Sequence, residues 1–100
     1  MSKPVPYKAQ LPVVIIKEGE QFVAYCPILD LSTCGKTFKE AQRRFGEILD
    51  MFIEDLVERG TLDEVLISCG WQKTTGPKPR WIVPQVVGQV QHEAGIPVAA

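Results

Sequence analysis

Residues 25–49 read YCPILDLSTCGKTFKEAQRRFGEIL, and this stretch decides the fold. Pro27 lacks a backbone N–H, so the apolar segment ending at Cys26 stops pairing there. Leu31 to Cys34 is long enough for a short strand, and Gly35 supplies a turn before Lys36-Thr37. Glu40 follows Thr37 by three residues, the spacing at which the two side chains bond each other's free backbone N–H groups at a helix start. From Phe38 onward, Ala41, Phe45, Ile48, Leu49, Phe52 and Leu56 recur at intervals of three and four. That period predicts a helix over 38–59 with a buried stripe centred on Phe45 and Phe52, stopped by Gly60 in the left-handed conformation.

Working outward, residues 1–10 hold two prolines and no periodicity, the composition of a loose lead-in. Leu11 to Lys17 contains Val13, Val14, Ile15 and Ile16 in succession, as a buried strand does. Glu18-Gly19-Glu20 is a turn, and Gln21 to Cys26 a second strand, together an antiparallel hairpin. After the long helix, Thr61 and Glu64 repeat the capping spacing, so a second helix is expected over 62–69, ending at Gly70, with Trp71 packing back on the core. Residues 72–80 carry two prolines and a glycine and read as a loop. Apolar residues return over 81–90, but Pro84 and Pro97 exclude a central strand. An edge strand, or an arm over 81–100 reaching a neighbouring subunit, fits better. The fold class expected is α+β: a three- to four-stranded antiparallel sheet on one long helix, a short second helix and a C-terminal strand or arm.

The spaced pattern Cys26, Pro27, Leu29, Asp30, Ser32, Gly35, Thr37, Glu40 and Ala41 resembles the HicB family of antitoxin-type proteins. Gly60-Thr61-Leu62-Asp63-Glu64 closing in Gly70-Trp71 resembles the end of such a domain, so the likeness spans residues 11–71. It implies a small β-β-β-α-β domain, dimeric or larger, that masks the active site of a small basic HicA-like ribonuclease toxin. Many members also carry a C-terminal DNA-binding unit. Here 29 proline-interrupted residues follow Trp71, and no ribbon-helix-helix fits them.

One hundred residues with 45% apolar and 23% charged side chains make one globular domain. The net charge of -1 and the dispersed basic residues argue against nucleic-acid binding by the chain alone. Cys26, Cys34 and Cys69 show no Cys-x-x-Cys spacing and are expected as reduced thiols of a cytoplasmic protein. No apolar run approaches the roughly 20 residues of a membrane span. The single His92, without a Cys/His cluster, gives no metal site, no cofactor site and no catalytic pairing, so an enzyme is the least supported class.

Two surfaces remain as candidates. Glu40, Glu47, Asp50, Glu54 and Glu58 project within about 80° of one another, opposite the phenylalanine stripe. Arg43 and Arg44 partly offset them through Glu47. The face is either simply solvated or, through Glu47, Asp50, Glu54 and Glu58, a docking patch for a basic partner. Leu49, Ile53 and Val57 widen the apolar stripe to about half the helix circumference, more than three strands need. Together with Trp81, Val83, Val86 and Val87 in the tail, they suggest a homo-oligomer, a dimer first and a tetramer second. Gly46 on that flank is either a tolerated imperfection or a point of close backbone approach. The functional readings are an antitoxin-like inhibitor or a stand-alone oligomeric binding protein of the same fold. A small basic protein encoded next to this one would distinguish them.

Overall fold

Gly19 takes φ 62 at the first central position of a two-residue turn while Glu20 keeps a negative φ, the pattern that matches the twist of two antiparallel strands. It joins β1 (Val14–Glu18) to β2 (Gln21–Cys26) in the register Glu18↔Gln21, Ile16↔Val23 and Val14↔Tyr25. The computed structural model describes residues 7–99, so the lead-in expected over 1–10 is described from Tyr7 only. Leu11 and Val13, expected inside the first strand, precede it and pack on the core as irregular chain. Pro27 opens a tight turn in which the Leu29 N–H donates to the Cys26 carbonyl. Asp30 closes it at φ 51 and accepts a 3.0 Å hydrogen bond from the Tyr25 hydroxyl. β3 (Leu31–Gly35) then returns beside β2, giving a sheet of order β1-β2-β3.

Helix α1 (Phe38–Arg59) begins as the sequence requires: the Glu40 N–H donates to Thr37 Oγ1 at 3.0 Å. The reciprocal half differs from expectation. Glu40 Oε1 accepts from the Lys36 N–H, one residue earlier than the expected Thr37, and also pairs with Arg44. Gly35 is buried where α1 crosses β3; a Cβ there would stand 2.6 Å from the Ala41 backbone nitrogen. Its role is therefore close approach, and its turn function is secondary.

A 22-residue helix is about 33 Å long, while a five-residue strand covers about half of that. Only the first half of α1 can lie on the sheet. Ala41 and Phe45 are buried there, but Phe52, expected to be nearly fully buried, is half-buried beyond the strands. Leu56 is covered instead with the help of α2 (Leu62–Ser68). Gly60 stops α1 at φ 69, and the Thr61 N–H bonds the Leu56 carbonyl. Thr61 is thereby held at φ -114, ψ 8, and its side chain makes no cap to α2, contrary to the capping spacing.

The core gathers Ala24, Cys26, Ile28, Leu29, Ala41, Phe45, Leu66 and Trp71. Trp71 Nε1 donates to the Ile28 carbonyl at 3.1 Å, which fastens the end of the domain to the Pro27 turn. Residues 72–80 are not only a loop. Gln72–Lys73 (β4) pairs with Trp81–Ile82 (β5), and Thr74 bonds Arg80 through backbone and hydroxyl. This hairpin sets Trp81 edge-on to Trp71, ring centroids 6.2 Å apart. The architecture is α+β in the order β-β-β-α, followed by the short helix and a small second sheet.

Candidate functional site

Helix α1 presents its outer surface in two strips. On the acidic strip, Glu47 is held by Arg43 at 2.7 Å, and Glu40 is engaged by Arg44 and Lys36. Arg44 was expected to face Glu47; it turns toward Glu40 and donates to the Cys34 carbonyl of β3. Asp55, off the strip, pairs with Arg59. Asp50, Glu54 and Glu58, spaced four apart, are exposed and form no ion pair with a described residue. The expected acidic patch therefore narrows to a ridge of three carboxylates along the second half of α1.

Beside the ridge runs the apolar flank. Leu49 and Ile53 are half-buried, Val57 is exposed, and no heavy atom lies within 4 Å of a Cβ built on Gly46. Among the described residues, then, no other element makes a close approach at Gly46. Val57, Gly60, Leu62, Asp63 and Glu64 line a shallow depression at the end of this flank. Acidic and apolar strips meet where Val57 adjoins Asp50 and Glu54 on the helical projection.

The tail residues divide. Trp81 and Val83 are partly buried and pack against the chain's own core. Val86 is half exposed, Val87 is 95% and Val90 88% exposed. The portion of the tail without cover begins after Pro84, whose ring lies near Gly70.

The sheet adds a surface that composition alone obscured. Val13, Ile15, Phe22 and Leu31 face α1, whereas Val14, Ile16, Val23 and Tyr25 fall on the opposite side, outside the core cluster. The continuous run Val13 to Ile16 promises a strand covered on both faces, but among the described residues a helix covers only one of them. The edges differ as well. The two-residue turn makes Glu18↔Gln21 a bonded pair, and strict alternation then directs the N–H and C=O of Ile15 and Lys17 outward at the β1 edge. The same alternation turns Ser32 and Cys34 outward at β3, where Arg44 takes the Cys34 carbonyl. No described group bonds the outward backbone of Ile15 or Lys17.

The thiols are all free. Burial pushes the Cys26 thiol above its ordinary range, away from the thiolate that a nucleophile requires. Cys34 is exposed on the sheet, and His92 lies in the tail, where Nδ1 contacts only the next carbonyl. Among the described residues no group of three His, Cys, Asp or Glu is placed to hold a metal ion. None of the described helices is long and apolar enough to cross a membrane. This chain matches no family model, no curated protein and no solved structure.

Proposed function

We propose that this chain is a HicB-like, antitoxin-type domain that binds and masks a small basic ribonuclease of the HicA type in the cytoplasm. The observation that carries this reading is the ridge Asp50–Glu54–Glu58, unpaired with any described residue and running beside the exposed apolar flank of Val57. Three carboxylates at one helical spacing attract a basic surface and set its register. The adjoining apolar strip supplies the area that charge alone does not. Support also comes from the resemblance of residues 11–71 to that family, now joined by the β-β-β-α order.

The test is a search for a small basic protein encoded beside this one, followed by titration calorimetry against it. Replacing Asp50, Glu54 and Glu58 together by lysine should weaken binding at least tenfold, while Glu47→Lys, already offset by Arg43, changes it little. Equal affinity for the triple variant would contradict the proposal. A second reading, a stand-alone oligomeric protein of the same fold without a toxin, is favoured by the uncovered tail and sheet edge. It stands if no basic partner is encoded nearby and the assembly forms alone.

A further inference from the structure

The chain exposes 8606 Å², whereas a compact chain of 11.1 kDa exposes about 5,700 Å². Its radius of gyration is 17.1 Å where about 13 Å is usual for this length, and its longest dimension is 65 Å. The tail contributes to this shape. After Pro84 it runs without regular pairing through Val86, Val87, Val90, Ile96 and Val98, each more than half exposed. The surplus is roughly 3,000 Å² per chain, about 6,000 Å² for two copies, enough for the roughly 2,000–5,000 Å² or more that obligate assemblies bury in total.

We infer that residues 85–91 of one copy add as a strand to the open β1 edge of a second copy, reciprocally, in a two-fold dimer. Gln85-Val86-Val87-Gly88-Gln89-Val90-Gln91 lies between Pro84 and Pro97 and contains neither proline nor charge. In extended form Val86, Gly88 and Val90 share one side, while Gln85, Gln89 and Gln91 share the other with Val87. This segment has a strand's composition and alternation but pairs with no described residue of its own chain. The β1 edge offers what it lacks: outward N–H and C=O groups at Ile15 and Lys17, bordered by the apolar side chains of Val14 and Ile16. Adding a strand satisfies both sets of backbone groups at once.

Geometry favours a second copy as the occupant. Residues 80–86 and 7–12 line one open groove, so the tail leaves the domain beside the segment that leads into β1. Donor and acceptor thus share one rim, and a two-fold axis at that rim lets each tail reach the other's edge. Trp81, Val83 and Pro84 stay in their own domain as the anchor.

The experiment uses the full chain. Sedimentation should give twice 11.1 kDa at micromolar concentration. A sample mixed from isotope-labelled and unlabelled copies should show intermolecular contacts from the Val86 and Val90 methyls to β1. The double variant Val86→Asp/Val90→Asp should sediment as a monomer with an unchanged circular-dichroism spectrum, since neither residue belongs to the core. A monomeric wild-type chain, a double variant that remains dimeric, or one that unfolds the domain would each overturn the inference.

Discussion

At the scale of single residues, close contact matters more than residue class. Gly35 sits beneath the α1 backbone, and the Cβ of Gly35→Ala would meet Ala41 N at 2.6 Å, with backbone on both sides of the clash. Overpacking of this kind costs about 1–3 kcal/mol, to be read from urea denaturation. Trp71→Phe deletes the only donor on the buried Ile28 carbonyl that the ring supplies, and a loss of about 1–3 kcal/mol is expected. Phe45→Ala should cost about 3–5 kcal/mol, and Phe52→Ala distinctly less, because that side chain is only partly buried. Equal losses for the two would contradict the fold's division of α1. The thiols offer a check without mutation. Cys34 should react first with a thiol reagent at pH 8, and Cys26 last, only as the domain opens. Its raised folded pKa means that the stability of the protonated thiol is intact below the unfolded pKa. That contribution is lost as pH rises through the folded value, so Cys26→Ala should soften alkaline unfolding.

Among the elements, periodicity located α1 and β2 to the residue, because the helical stripe and the Thr37 and Gly60 caps are all local signals. The same logic misled at Thr61. Its capping spacing is present, but the residue is committed to finishing α1 through its bond to the Leu56 carbonyl. Helix length against strand length, which decides the burial of Phe52, is a tertiary quantity that no local pattern carries. Spacing gave the Arg43–Glu47 pair but not the turn of Arg44 toward Glu40 and β3, so the acidic face looked broader than the ridge that remains. The β4–β5 hairpin hid behind a proline-rich composition; its cue was Thr74 and Arg80 flanking a Gly-Pro-Lys-Pro tip. The flank of α1 yields a prediction of its own. With open space around Gly46, Gly46→Ala should raise monomer stability by about 0.5–1 kcal/mol by removing backbone freedom from the unfolded chain. If that variant instead disrupted assembly, the α1 flank would be an interface.

The whole molecule leaves two kinds of surface open, and they call for different partners. The α1 ridge is charged and suits a basic protein; the tail segment 85–91 has no charge, the β1 edge carries only Lys17 and Glu18, and both belong to the same chain. With a net charge of -1 the chain should bind duplex DNA no better than high micromolar at physiological salt, a value that gel shift can check. If ridge and edge are independent, reversing the ridge charges leaves the dimer intact, and removing the tail leaves the ridge able to bind. Everything specific to the assembly depends on the tail being covered by another copy. Sedimentation equilibrium of the full chain tests that most directly: the account predicts twice 11.1 kDa, falling to a single chain's mass when residues 85–100 are removed, and an 11.1 kDa species at high micromolar concentration would contradict it.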